Sequence, residues 1–252
     1  LTTTSGGTLS LSSSSYNLSG TLSTITNNGT ILIPNTNATP LPTGKTWGGK
    51  VKFDASGAIM VAGTYNNVDI NNNVTVSGAV SIGGVLNWTN NGKITTTAVN
   101  TITITNTSTA AITNYNSSRF ISGPLSLTIA ANLTSSANNY VFPIGKGTNT
   151  TDYYPYSITT LTTGASAPVL TVEVFKSNAG GSADGTTLGS LSTGEYWLAS
   201  FTGNYTNGSV SLSRGDNSLS GLSGIGRSAT QGGTYTSLGG TVSGNAVNTS
   251  SL

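Results

Sequence analysis

The stretch GTLSTITNNGTI at residues 20–31 is matched in pattern by GGVLNWTNNGKI at residues 83–94. Apolar residues alternate with polar ones up to an Asn-Asn-Gly turn, and an apolar residue follows the turn. The two copies lie 63 residues apart, which corresponds to about three coils of roughly 21 residues in a parallel β-helix. We therefore predict a β-helix, or solenoid, over residues 1–114 in which Ile31 and Ile94 are equivalent and Trp88 is a core residue aligned with Ile25.

The rest of the chain has short apolar runs of period two, separated by Gly, Asn and Ser, which indicates an all-β protein. Aromatic residues become frequent and the repeat stops after about residue 115. In Val169–Phe175, apolar and polar residues alternate, which is typical of an antiparallel sheet with one solvated face. We predict an antiparallel β-sandwich over residues 115–252.

Charged residues are scarce, with nine Lys and Arg and seven Asp and Glu in 252 residues. Nucleic-acid binding requires clustered cations, and the densest group, Lys45, Lys50 and Lys52, favours a solvated strand edge that lysines protect from pairing. No apolar run approaches the 18 residues that suggest a membrane span, so neither nucleic acid nor membrane insertion is expected. A start at Leu1 without Met predicts a removed signal peptide or a fragment.

The chain contains no Cys and no His, which removes disulfides, Cys/His zinc sites and imidazole catalysis. Two carboxylates could still perform acid/base chemistry, but those of this chain are dispersed, so no catalytic residue and no cofactor are assigned. The dispersed carboxylates are Asp54, Asp69, Asp152, Glu173, Asp184, Glu195 and Asp216. A polysaccharide-cleaving enzyme is the third hypothesis and is distinguished by two carboxylates meeting in a cleft.

The stretch DINNNV at residues 69–74 resembles the opening of a calcium loop. Val74 stands where such a loop needs Gly, and no Glu follows at the required spacing. We interpret the stretch as a solenoid turn with stacked Asn side chains, and no metal ligand is assigned.

Aromatic residues could stack on sugar rings, which makes a carbohydrate-binding adhesin the second hypothesis, with surface polysaccharide as partner. Tyr153, Tyr154 and Tyr156 bracket a proline beside a polar loop, and Trp47 is a further candidate contact. This hypothesis requires these aromatic residues to line a groove.

Several stretches resemble the repeat proteins that Bacteroidota-type bacteria secrete to their surface: GKVKFDASGA at 49–58, AGTYNNVDI at 62–70, RFISGPL at 119–125, YVFPIGKG at 140–147 and QGGTYTSLGG at 231–240. The resemblance implies export by the type IX secretion route and a role in adhesion or matrix at the cell surface.

The leading hypothesis is therefore an extracellular, non-enzymatic structural or adhesive protein. Its small net charge favours association, and strand addition at unpaired edges would give a homo-oligomer or filament. The assembly strands are predicted at the two ends of the chain, around Leu9 and Leu11 and around Val242 and Val247.

Overall fold

The computed structural model describes residues 1–12, 15–136, 138–215 and 219–249. The chain is all-β and divides into two compact units, Leu1–Thr128 and Ile129–Leu252. The first unit is a parallel β-solenoid of about seven turns, and mainly antiparallel sheets build the second. The predicted fold class is confirmed.

The solenoid unit contains strands β1 (Thr2–Thr3), β2 (Thr8–Ser10), β3 (Thr26–Asn27), β4 (Thr30–Ile33), β5 (Lys45–Phe53), β6 (Ala58–Ile70), β7 (Val74–Ile82), β8 (Leu86–Trp88), β9 (Gly92–Thr95), β10 (Ile102–Ile104), β11 (Ile112–Thr113), β12 (Arg119–Ser122) and β13 (Leu125–Thr128).

Three columns of apolar side chains fill the inside of the solenoid, because successive coils pair in parallel and place equivalent residues above one another. All of these residues except Leu9 are buried. The columns are Trp47–Tyr65–Ile82–Ile104–Leu127, Leu9–Ile31–Val51–Val68–Leu86–Ile112 and Ala58–Val74–Ile94–Ile121.

The predicted alignment of the two repeat copies is wrong. Ile31 belongs to the column of Val51, Val68 and Leu86, whereas Ile94 belongs to the column of Ala58 and Val74. Trp88 is a core residue with 1% exposure, as predicted, but it aligns with Ile70 rather than with Ile25. The coils between the copies are shorter than 21 residues, so the offset of 63 does not return the chain to the same face.

Both Asn-Asn-Gly turns nevertheless have the same structural role. A Cβ atom on Gly29 would clash with the backbone oxygen of Gly7, and one on Gly92 with the backbone oxygen of Asn72. Each glycine lets one coil approach the backbone of the coil before it. The sequence motif therefore marks a close turn into a strand.

The solenoid also extends further than predicted. β12 pairs in parallel with β9 and β13 with β10, and the aromatic Phe120 of β12 is 0% exposed and lies against Lys93 of β9. The division between the units falls after Thr128 rather than after residue 114. Increased aromatic content was therefore a poor marker of the boundary.

The second unit contains β14 (Asn139–Phe142), β15 (Ile144–Gly145), a 3₁₀ turn (Thr150–Asp152), β16 (Tyr156–Thr163), β17 (Val169–Phe175), β18 (Ser182–Ala183), β19 (Tyr196–Thr202), β20 (Tyr205–Ser213), β21 (Gly226–Arg227), β22 (Thr234–Ser237), β23 (Thr241–Ser243) and β24 (Ala246–Asn248).

Antiparallel pairing joins β14, β16, β20, β24 and β23, in that order, into one sheet, and β17 pairs antiparallel with β19. Leu170, Val172 and Val174 are fully buried while the residues between them are half-buried, as the alternation predicts. Among the described residues, no helix is long and apolar enough to cross a bilayer.

Candidate functional site

A cavity of about 740 Å³ lies inside the second unit. Side chains of β19 line it together with side chains of the five-stranded sheet, and the segments 188–192 and 219–231 complete the wall. Its volume falls within the range of about 300–1,000 Å³ that is typical of small-molecule sites. We take it as the candidate binding site of the described residues.

Aromatic rings form much of this wall. Tyr156, Trp197, Phe201, Tyr205 and Tyr235 all contribute, and all except Tyr156 are half-buried. The rings of Phe201 and Tyr205 stack with their centroids 4.1 Å apart. These rings give the cavity large apolar faces that remain partly open to a ligand.

The alternation of β19 determines which of its side chains share one face. Trp197, Ala199 and Phe201 lie two residues apart, so they project to the same side of the strand, and all three line the cavity; Tyr196 and Leu198, which alternate with them, also contribute to the lining. The Nε1 of Trp197 donates a hydrogen bond of 3.1 Å to the backbone oxygen of Tyr154. This hydrogen bond fixes the orientation of the Trp197 side chain.

An ion pair belongs to the same wall. Arg214 Nη2 lies 2.6 Å from Glu195 Oε1, and the two side chains are 15% and 7% exposed. Arg214 also donates to the hydroxyl of Ser192, at 3.1 Å. The two opposite charges compensate each other, so the pair brings no net charge to the cavity.

Arg227 is the second cation of the wall, and its side chain is exposed. Among the described carboxylates, none forms an ion pair with it. Burial raises the pKa of the Tyr156 hydroxyl, the neighbouring Tyr205 raises it further, and the positive charge of Arg227 lowers it. Arg227 therefore acts electrostatically on the phenol group of Tyr156.

The aromatic residues that sequence reasoning selected lie in different places. Trp47 is fully buried in the solenoid core, so the expectation that it contacts a ligand is wrong. Tyr154 is buried behind Trp197, Tyr156 is 5% exposed and lines the cavity, and Tyr153 is half-buried outside the lining. The three tyrosines do not form an exposed groove, because Tyr154 and Tyr156 are both buried.

Sequence reasoning missed Trp197, Tyr205 and Arg227 as residues of one site. The packing of β19 near the five-stranded sheet could not be predicted from the sequence, because it depends on contacts between distant segments.

Each described carboxylate has its own ion-pair or hydrogen-bond partner. Asp69, Asp54, Glu173, Asp152 and Glu195 form ion pairs with Lys50, Lys52, Lys146, Lys176 and Arg214, respectively. Hydrogen bonds from Thr186, Thr187 and Leu188 hold Asp184. Asp216 lies outside the described residues, and Glu195 is the only described carboxylate that lines the cavity. The described part of the cavity therefore lacks the carboxylate pair that glycoside hydrolysis uses.

The stretch at residues 69–74 forms a strand end and a turn whose polar side chains bond to adjacent coils. Asn71 Nδ2 donates to Asp54 Oδ1 at 2.7 Å, and Thr89 Oγ1 donates to Asn71 Oδ1 at 3.2 Å. Asp69 is occupied by Lys50 at 2.7 Å and by Asn87 Nδ2 at 3.0 Å. The interpretation as a solenoid turn is confirmed, but the residues of adjacent coils that bond to Asn71 are Asp54 and Thr89 rather than other asparagines.

We expected Lys45, Lys50 and Lys52 to protect a sheet edge, but they do not lie on one. They lie on β5, which pairs with β4 on one side and with β6 on the other. Lys50 and Lys52 instead make the ion pairs with Asp69 and Asp54.

The residues predicted for assembly differ in exposure. Leu11 and Val247 are buried within their own units, with 5% and 4% exposure, and Leu9 is half-buried in β2. Val242 is 47% exposed on β23. Both β2 and β23 end their sheets, because each pairs with a single described strand.

No protein-family model, no curated protein and no solved structure matches this chain.

Proposed function

We propose that this chain is an extracellular structural or adhesive protein of the bacterial surface type, in which copies associate through the uncharged first coil of the solenoid. The observation that supports the proposal is the free edge of β2. Its N–H and C=O groups on that side face no described strand, and a further strand would satisfy them.

The composition of this edge supports strand addition. Natural sheet edges are usually blunted by charged residues, especially lysine. Residues 1–44 contain no Lys, Arg, Asp or Glu, and Thr8 and Ser10 are exposed. The first two levels of the stack therefore carry no side-chain charge that would repel a second copy.

The interior of the solenoid suits a spacer. Each coil buries its apolar residues against neighbouring coils, and polar side chains such as Asn71 and Thr89 bond from coil to coil on the outside. Solenoids of this kind are stabilised by nearest-neighbour interfaces along one axis. An adhesive or scaffolding role uses such an axis as a rod.

The test places lysines at the edge. In the double variant Thr8→Lys/Ser10→Lys, both charges lie on β2, whereas the matched control Thr75→Lys/Ser77→Lys carries them on exposed positions of β7, an inner strand. We expect the unmodified chain and the control to form concentration-dependent oligomers in analytical ultracentrifugation, and the edge variant to remain monomeric. A monomeric unmodified chain at high concentration would contradict assembly, and an edge variant that still assembles would contradict the use of β2.

Deletion of residues 1–11 would be a weaker test. It removes β2 but exposes β4, which pairs with β2 in parallel over Thr8–Ser10. The truncated stack would present a new free edge of the same kind. Charge substitution leaves the stack intact and changes only the property in question.

A further inference from the structure

We propose that the cavity of the second unit binds a small amphiphile with an apolar body and a carboxylate head, in which the body contacts the leucine and aromatic side chains and the head contacts Arg227. This inference goes beyond the structural role and does not depend on it, because the cavity lies within one chain.

The apolar side chains that line the cavity indicate a ligand with an apolar body. Seven leucines line the cavity together with Ile225, Val210 and Val247. Leu198 is 49% exposed, and Trp197 and Phe201 are half-buried. A ligand that covered these surfaces would remove apolar area from water, which is favourable by about 25 cal/mol per Å².

The charged side chains that line the cavity indicate a ligand with a carboxylate head. Glu195 and Arg214 neutralise each other, and the described lining contains no Lys and no further carboxylate. Arg227 remains as the cation, close enough to influence Tyr156. A planar guanidinium matches a carboxylate with two parallel hydrogen bonds.

A sugar fits this wall less well. Thr and Asn are among the commonest residues of the chain, yet the described lining contains no Thr, Asn or Asp, and Gln231 is its single side-chain amide. Planar amides offer a sugar both donors and acceptors. The lining does contain four serines, Ser190, Ser192, Ser223 and Ser228, so the depletion concerns amide and carboxylate groups rather than hydroxyls.

Trp197 provides the readout, because Trp47 and Trp88 are buried in the other unit. The full-length chain is titrated with decanoate and, separately, with decanol, both below their aggregation concentrations, while tryptophan fluorescence is recorded. We expect saturable changes with both ligands and about threefold to fivefold tighter binding of decanoate, the range for a partly exposed ion pair. In Arg227→Gln the two affinities should become equal, whereas Arg119→Gln, which removes a cation from the solenoid unit, should behave like the unmodified chain.

A second variant tests the location. Ala199 is exposed and lines the cavity, so Ala199→Trp should fill the space and reduce decanoate binding at least tenfold, measured by calorimetry, with an unchanged melting temperature. Several results would overturn the proposal: no saturable decanoate binding, equal affinities for decanoate and decanol in the unmodified chain, or binding that survives Ala199→Trp. Binding of a galacturonate trisaccharide at this site with no binding of decanoate would overturn it in favour of a glycan site.

Discussion

The ammonium nitrogen of Lys176 lies 2.6 Å from Oδ1 of Asp152, a carboxylate whose side chain is 6% exposed. The other oxygen of the same carboxylate accepts a hydrogen bond of 2.8 Å from the backbone N–H of Asn149. Burial by itself would raise the pKa of Asp152, but the hydrogen bonds from Lys176 and from the backbone lower it below its usual value. One carboxylate thus links the 3₁₀ turn to the segment that follows β17.

Lys176→Gln should therefore destabilise the protein. The substitution leaves the buried Asp152 without its cation, and because Lys176 is itself 42% exposed, water compensates part of the loss. We expect a decrease of about 1–2 kcal/mol in the free energy of unfolding, measured by urea denaturation. Lys146→Gln, which removes the more exposed pair with Glu173, should cost no more than about 0.5 kcal/mol; equal effects would contradict a special role for Asp152.

Stability should be nearly constant between about pH 5 and 9, because the chain has no His. The pKa values of Asp152 and Asp184 are lowered from an ordinary 3.8, so their contribution is present above that value and is lost as the pH falls below it. Burial raises the pKa values of Tyr65 and Tyr156 above an ordinary 10.0. The folded state then holds protons that the unfolded state releases, so stability falls above about pH 10. Thermal melts across pH 3–11 check this, and a melting shift above about 10 °C between pH 5 and 9 would contradict it.

Gly92→Ala should destabilise the solenoid by about 1–3 kcal/mol, because the added Cβ clashes with the backbone of Asn72 and forces two coils apart. Gly164 is the matched control, since nothing lies within 4 Å of a Cβ built there. Gly164→Ala should be neutral or stabilising by up to about 1 kcal/mol. Chemical denaturation of both variants is the measurement, and similar losses would show that coil contact is not the cause.

Charges introduced near the second Asn-Asn-Gly turn should distinguish the core from its rim. Ile94→Asp places a carboxyl at a fully buried position and should cost about 3 kcal/mol or more. Val85 is only half-buried, so Val85→Asp should cost clearly less. Asn90→Asp at the exposed turn should cost at most about 0.5 kcal/mol. Equal losses at positions 90 and 94 would refute the column that contains Ile94.

The turns of the solenoid could be predicted from sequence better than its register. Gly29 and Gly92 are required by the same close approach between coils, so their local pattern is the same. That pattern does not specify which of the three faces follows, because coil length varies: Ile31 precedes Val51 by 20 residues, and Val51 precedes Val68 by 17. The close approach between coils determines the sequence of the turn, whereas the summed lengths of the preceding coils determine which face of the solenoid follows the turn.

The cavity was less accessible to prediction. Tyr156 was selected as an exposed residue and is in fact buried at the cavity wall, while Trp47 was selected for the same reason and is in the core. Aromatic residues are both good core residues and good ligand contacts. Their role depends on packing between segments as distant as Tyr156 and Arg227.

The buried position of Met60 has a chemical consequence. It is the only methionine of a chain without cysteine, and it is fully enclosed in the solenoid core. Peroxide and similar reagents attack exposed sulfur first and convert methionine to a polar sulfoxide that disrupts cores. With its single sulfur atom shielded by neighbouring coils, the solenoid resists oxidative damage for as long as it stays folded.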